Sequence, residues 1–428
     1  MSAAAIIARR LSSGREGRLA SLIIRLAIVS TALCVAVMIL TSALLRGFKY
    51  EISEKIFGFW GHVHVAAQQS GDGLFEAVPF SRDEYWIDEL RGLGGPVAYP
   101  LGYSELGFGE SSTSGVRHVQ TYIVKPAVIQ TREEIEGVLL KGAGADFEWG
   151  FFRDNLRAGE IFSTSGPEPT REVLLSEQTA ARIEVGVGDP FIAHFPEGRR
   201  MRKLRFTVGG LFRTGLEEYD TQFALVDQRV LQDVLGWDSM QVSGVEVFLD
   251  DIDDVEGLAA YANYEVAPPA FYAESVRERF PAIFEWLDLQ DVNEYVIIGL
   301  MLVVALINMI TTLLILILER ANMVGVLRTL GMAGGPLRRI FLRFGWRILL
   351  QGLLWGNLVG LGLCGLQAAT GIVQLSEENY YLSEAPIRID WLMVLAINAG
   401  TAAAVMTLLI VPALLVTRID PVKTLRFD

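Results

Sequence analysis

The chain has 428 residues, 51% of them hydrophobic and 20% charged, with a formal net charge of −13 and a mean hydropathy of +0.35. A soluble domain carries about 25% charge, so a wholly soluble reading is strained, and the apolar content excludes disorder. No basic stripe long enough to track nucleic acid runs through the sequence. The two cysteines, Cys34 and Cys364, both lie inside apolar runs, so the chain offers neither a disulfide framework nor a thiolate metal cluster.

Crossing a bilayer takes about 20 apolar residues. Residues 1–25 precede the first such run, which is Leu26–Leu45 and contains no charge. It is too long for the apolar core of a cleaved signal peptide and lacks a small-x-small cleavage site, so it reads as a retained span within 26–46. Three more runs follow, Val296–Leu318, Ile348–Leu375 and Trp391–Thr417, all within 293–428. The charges set the orientation. Residues 1–25 hold five arginines against Glu16, and residues 319–347 hold six arginines against Glu319. The long segment 47–292 holds 21 basic and 41 acidic residues, and the loop with Glu377, Glu378 and Glu384 is negative too. The positive-inside rule places both termini and the 319–347 loop in the cytoplasm and the 47–292 segment on the far side. The expected fold is therefore an integral membrane α-helical protein. It has four transmembrane helices and a large extracytoplasmic α+β domain between the first and second spans.

Within that domain, His62–Ala67, Val119–Lys125, Glu172–Leu175, Lys203–Phe212 and Val245–Leu249 alternate or are β-branched, which predicts strands. Ser176–Ile183 and Asp227–Leu235 read as helices capped by Ser176 and Asp227, and Glu274–Leu287 as a helix leading to the second span. Loops are expected near 68–73, 94–115 and 163–169. His62 and His64 share a strand face, but with only His118 and His194 elsewhere a structural role is favoured over a metal. The run Asp250, Asp251, Asp253, Asp254, Glu256 lacks the glycine and terminal glutamate of a calcium loop. No G-x-S-x-G, H-E-x-x-H or C-x-x-C occurs, and no glycine precedes any lysine as a Walker A would require. The domain reads as a binding or transmission module, and the chain itself as no enzyme.

The spans carry Asn308, Thr311, Thr312, Asn357 and Asn398 but no central carboxylate or lysine, which predicts hydrogen-bonding glue rather than an ion path. Gly352, Gly356 and Gly360 at four-residue spacing predict close helix packing. After the second span, Met323, Val326, Leu327 and Leu330 recur at helical spacing up to Gly331, and Pro336 stands as a first helical residue. Taken alone, this short helix with Glu319, Arg320 and Arg328 reads as a membrane-surface helix with basic flanks, and the functional alternative is a coupling helix that docks into an ATP-binding subunit.

Residues Glu319–Gly331 resemble the loop of FtsX-like permeases, the membrane subunits of a four-span class of ABC transporters that includes MacB. The ending Ile419–Phe427, with Asp420-Pro421, is similar to the end of that class. Within the class, the chain resembles the lipoprotein-releasing LolC/LolE permeases. The resemblance is carried by Gly47–Glu51 through Ile56-Phe57-Gly58 to His62–Val65, and by Tyr380-Tyr381-Leu382, Pro386-Ile387 and Ile389-Asp390-Trp391. Glu172–Asp189 and Lys203–Asp227, with Gly215 and Glu218-Tyr219-Asp220, follow the family's external domain. Two departures stand out: Phe195–Arg202 holds a single proline where a carrier-recruiting relative has a Pro-rich hook, and Ser176 stands where glycine is frequent.

The resemblance implies a MacB-like periplasmic core in 47–292 and an FtsX-like permease region in 293–428, in a Gram-negative inner membrane. It implies a transporter that extracts acylated lipoproteins and passes them to a periplasmic carrier. ATP and Mg would sit on a partner ATP-binding subunit, with none in this chain, and a second permease would complete the pair. Acyl burial is worth about 0.8 kcal/mol per methylene, so a lipoprotein with roughly 45 methylenes is held by on the order of 35 kcal/mol. Release then needs a lateral apolar cavity and a mechanical drive. Carried over, the docking helix uses Glu319, Arg320, Met323, Val326, Leu327, Arg328, Leu330 and Gly331. The cavity uses Met38, Ser42, Leu45 and Phe48 on the first span, facing Val296, Leu300, Val303 and Ile307 on the second. The competing readings are a MacB-like exporter or FtsX-like mechanotransmitter, and a membrane-anchored receptor, for which no cytoplasmic signalling domain is present.

Overall fold

A single helix, α1 (Arg18–Trp60), opens the structure, a computed structural model that describes residues 18–68, 78–94, 115–131, 134–197, 200–250, 255–376 and 380–415. α1 runs well past the predicted span end at Leu45, because apolarity stops there and helix propensity does not. Gly61, at φ +73°, terminates it and donates its N–H to Phe57 O.

The strands that follow are β1 (Val63–Ala67), β2 (Phe80–Ser81), β3 (Val116–Gln130), β4 (Ile135–Ala143), β5 (Leu156–Gly159) and β6 (Glu172–Ser176). Then come β7 (Pro190–Glu197), β8 (Arg200–Phe212), β9 (Phe223–Asp227), β10 (Gln241–Val242), β11 (Gly244–Leu249) and β12 (Phe271–Ser275). Between them lie α2 (Tyr85–Gly92), α3 (Gly150–Asp154), α4 (Glu177–Arg182), α5 (Glu217–Gln222), α6 (Gln228–Leu235) and α7 (Val255–Tyr261). α8 (Val276–Arg279), α9 (Pro281–Glu319), α10 (Ala321–Thr329), α11 (Gly334–Thr370), α12 (Trp391–Leu408) and α13 (Ile410–Leu415) follow among the described residues.

The chain divides into two units. One takes its described residues from Glu51–Glu285 and Leu375–Ser383. Its main sheet has the order β12-β1-β11-β3-β4-β9-β6-β8-β5, with β7 paired to β3 and β8. β1 lies antiparallel between β11 and β12, His64 opposite both Glu246 and Glu274. Ile123, Leu140, Val173, Phe206 and Val226 from the sheet form one core with Val230, Leu231 and Val234 of α6. Both predicted caps form: Ser176 Oγ accepts from Thr179 N at 2.9 Å, and Asp227 Oδ1 from Arg229 N at 3.0 Å. The predicted helix Glu274–Leu287 is corrected. Glu274 and Ser275 finish β12, Ser275 caps α8, and Pro281 starts a fresh helix. Residues 163–169 form an irregular loop as expected, whereas most of 68–73, 94–115 and the acidic run 251–254 lie outside the described residues.

The other unit takes its described residues from Met1–Tyr50, Trp286–Gln374 and Glu384–Asp428. Among the described residues, four helices are long and apolar enough to cross a membrane. Here the glycine stripe of α11 packs on α1. A Cβ at Gly352 would stand 2.7 Å from Thr31 Cβ, one at Gly356 2.7 Å from Val35 Cβ, and one at Gly360 3.0 Å from Ala36 Cα. Asn357 and Asn398 exchange hydrogen bonds at 2.6 and 2.9 Å, and Asn308 Nδ2 donates to Ser30 Oγ, which is the predicted glue. Three boundaries are corrected. α11 begins at Gly334, so Pro336 is its third residue, still within the first turn where a missing N–H costs nothing. It ends at Thr370 rather than Leu375, capped by Gly371. The fourth predicted span breaks at Leu409, because Pro412 cannot donate back to the preceding turn. The C-terminal motif Ile419–Phe427 lies outside the described residues.

Candidate functional site

α9 carries two opposed faces in its apolar stretch. Ile298, Met301, Ala305 and Met309 turn inward onto the core formed with α1, α11 and α12. Val296, Leu300, Val303 and Ile307, spaced by four, three and four, form an open stripe and are each at least half exposed. Glu294 continues the inward row by one turn and is 3% exposed. Its Oε1 accepts from the Ser42 hydroxyl at 2.7 Å and from Arg46 Nε at 3.3 Å. Arg46 Nη1 reaches Asp390 Oδ2 at 2.5 Å, and Asp390 Oδ1 caps α12 through Leu392 N. Just beyond, Lys49 pairs with Asp291 at 2.6 Å and Arg388 stacks over the Tyr50 ring. The apolar stripe thus ends in a band of paired charge.

α10 presents a second surface. Val324 and Gly325 are buried, and Leu327 and Met332 pack onto the helical core. Val326 (47% exposed) and Leu330 (78% exposed), four residues apart, stay open. Arg320 precedes the helix without a side-chain capping bond, Glu319 is exposed, and Met323 and Arg328 are half-buried. Gly331, at φ +85°, closes the helix as predicted.

In the sheet unit, Lys141 on β4 is fully buried. Its Nζ lies 2.7 Å from Glu246 Oε1 on β11 and donates to Phe59 O at 2.8 Å. Gln120 Nε2 donates to the other Glu246 oxygen at 2.7 Å. Burial pulls the ammonium down and pushes the carboxylate up, each opposed by the other's charge. His64 is held well below its usual value by burial, then by Arg279 and Lys141. His62, buried and accepting from Leu249 N, is lowered to about 3 by burial and then by Arg117. Asp220 accepts from Thr214 N, Thr214 Oγ1 and Gly215 N, yet burial still raises its carboxyl. Gly215 is at φ +80°, and a Cβ there would meet Lys55 Nζ at 2.6 Å, so the position requires glycine. The charge inside this core is paired, and burial favours the neutral histidines.

A model of the MacB-like periplasmic core domain matches residues 26–263, more than half of the chain. The chain belongs to that family. A model of the FtsX-like permease C-terminal region matches residues 295–421 of this MacB-like chain. It is 25% identical to the "Lipoprotein-releasing system transmembrane protein LolC" of Xylella fastidiosa (strain Temecula1 / ATCC 700964), over 99% of this chain and 98% of that one. The LolC of Neisseria meningitidis serogroup B is 22% identical, over 98% of both chains. The LolE of Haemophilus influenzae is 24% identical, over 49% of this chain and 52% of that one.

Within this MacB-like chain, the predicted cavity residues fall into two sets. Met38, Ser42 and Phe48 are buried by their own chain and Leu45 is half-buried, whereas the four on α9 are open. One chain does not bring the eight together as a shared open surface. Arg46, the residue after Leu45, is bound to Glu294 and Asp390. Sequence reading passed over Glu294 because it lies two residues outside the uncharged run. Its spacing of four, seven and eleven from Ile298, Met301 and Ala305 was the available signal. Asp390 stood in a motif already noted, without a partner assigned.

Proposed function

We propose that this chain is the permease subunit of an ABC transporter that extracts outer-membrane-directed lipoproteins from the inner membrane. The observation that carries the reading is collinearity: LolC proteins align from end to end across both the MacB-like core and the FtsX-like region. On this reading α1, α9, α11 and α12 span the inner membrane, with both termini and α10 cytoplasmic and the sheet unit periplasmic, as the arginine-rich 1–25 and 319–347 segments favour. We assign 47–292 to the periplasmic part and 293–428 to the permease region.

The chain needs no cofactor of its own. ATP and Mg belong to a partner ATP-binding subunit, against which Val326 and Leu330 dock. A second permease, identical or a sister, faces the open stripe of α9, and acyl chains enter beside Leu300 and Ile307. The hairpin between β7 and β8, whose residues 198–199 lie outside the described ones, is too short to recruit the periplasmic carrier by itself.

The test is a photocrosslinker at Leu300 or Ile307 in the complete complex. It captures acylated lipoprotein, and adding ATP removes the adduct. Capture of bulk phospholipid alone, unchanged by ATP, overturns the assignment, as does copurification of a channel or hydrolase in place of acylated lipoprotein.

A further inference from the structure

A groove of about 610 Å³ runs beside the α1–α11 crossing, lined by Arg25, Val29 and Leu33 on α1 and by Gln351, Trp355 and Val359 on α11. Its origin is the glycine stripe. Gly352 and Gly356 bring α11 against Thr31 and Val35, so the larger side chains on the flank splay and leave a channel. Contacts that advance together along both helices, from Gly352 with Thr31 to Gly360 with Ile39, show that α1 and α11 run parallel. Arg25 and Gln351 are the most N-terminal lining residues of their helices, so both polar groups sit at the same end. The rest of the groove is apolar. Each wall spans nine residues, a rise of about 12 Å, against about 15 Å for one leaflet's share of the hydrocarbon core.

We infer that this groove binds an anionic phospholipid. The phosphate lies against Arg25 and Gln351, and one acyl chain runs along Val29, Leu33, Trp355 and Val359. Arg25 is exposed, and no carboxylate among the described residues pairs with it. An anion answers that charge, whereas an apolar helix of a second copy would leave the guanidinium unmatched. Given the proposed orientation, with residues 1–25 cytoplasmic, the lipid belongs to the cytoplasmic leaflet, across the membrane from the lipoprotein entrance.

The experiment uses the full permease–ATPase complex in nanodiscs without lipoprotein. Phosphatidylglycerol or phosphatidylcholine carries a diazirine on one acyl chain, and crosslinked peptides are located by mass spectrometry. Phosphatidylglycerol adducts are expected on Val29, Leu33, Trp355 or Val359, in excess over phosphatidylcholine. Arg25→Gln lowers that capture about fivefold and Arg25→Lys retains most of it. Val29→Trp, at an exposed position, lowers capture of both lipids while the subunits still copurify. Equal capture of the two lipids, or no effect of Arg25→Gln, overturns the site. So does a protein crosslink from Leu33 to the second permease in place of lipid, which would make the groove a subunit interface. Because no lipoprotein is present, this readout and the lipoprotein capture at Leu300 fail independently.

Discussion

Ser42 and Glu294 stand 252 residues apart in the chain and share a 2.7 Å hydrogen bond, with Arg46 on the same carboxylate oxygen. A buried carboxylate beside an apolar stripe is tolerated because a hydroxyl and a guanidinium both answer it. Replacing Glu294 with Ala strips Arg46 of one of its two acidic partners and should cost about 1–3 kcal/mol. Ser42→Ala should cost about 1 kcal/mol. Thermal unfolding of the detergent-solubilised chain measures both, and equal melting of Glu294→Ala and wild type would show that the network holds nothing.

The helix pair α1–α11 should be sensitive to single methyl groups at its crossing. Gly356→Ala places a Cβ 2.7 Å from Val35 Cβ and 2.9 Å from Ala32 O, an overpacking worth about 1–3 kcal/mol. Gly362→Ala meets nothing within 4 Å and should be neutral or slightly stabilising. Comparing the two melting temperatures isolates packing from helix propensity. If both variants behave alike, the stripe is not a contact.

For the α10 surface, the exposed pair decides the outcome. Val326→Asp and Leu330→Asp should abolish copurification of the ATP-binding subunit and leave membrane insertion unchanged. Leu327→Asp should lower stability as well, since Leu327 packs on the helical core. Normal pull-down of the subunit by both surface variants would mean that the ATPase docks elsewhere.

Acid should loosen the sheet unit through its neutral histidines. His62 is held at about 3 and His64 well below its usual value, whereas an unfolded histidine titrates near 6.5. The unfolded state therefore binds more protons below that value. The stabilisation is complete above pH 6.5 and is lost as pH falls towards 3, by about 2 kcal/mol for His62 at pH 5, with His64 acting in the same direction. His62→Asn keeps an acceptor for Leu249 N and should flatten the loss. Parallel pH–stability profiles for variant and wild type, from thermal melts between pH 7 and 5, would rule His62 out as a source.

What the sequence displayed was local. The caps at Ser176 and Asp227, the glycine stripe and the apolar runs each declare themselves within a few residues. β4 did not, because Gly137, Lys141 and Gly142 interrupt its pattern and the partner that makes Lys141 buriable lies on β11. β7 and β9 were hidden by Pro190 and by the short length of Phe223–Asp227. The charge band was hidden for the same long-range reason: Glu294 and Asp390 acquire meaning only when folding carries them to Arg46.

The placement of β1 has a consequence for synthesis. It is the first strand of its sheet to leave the ribosome, and both of its neighbours, β11 and β12, are among the last. At roughly 5–20 residues per second, some 10 to 40 s separate the emergence of β1 from that of β12. Throughout that interval Val63–Ala67 presents two unsatisfied edges and the apolar Val63 and Val65 side chains, a template for pairing with the wrong chain. A nascent-chain chaperone, or a delay in translocation, would therefore matter most for these five residues.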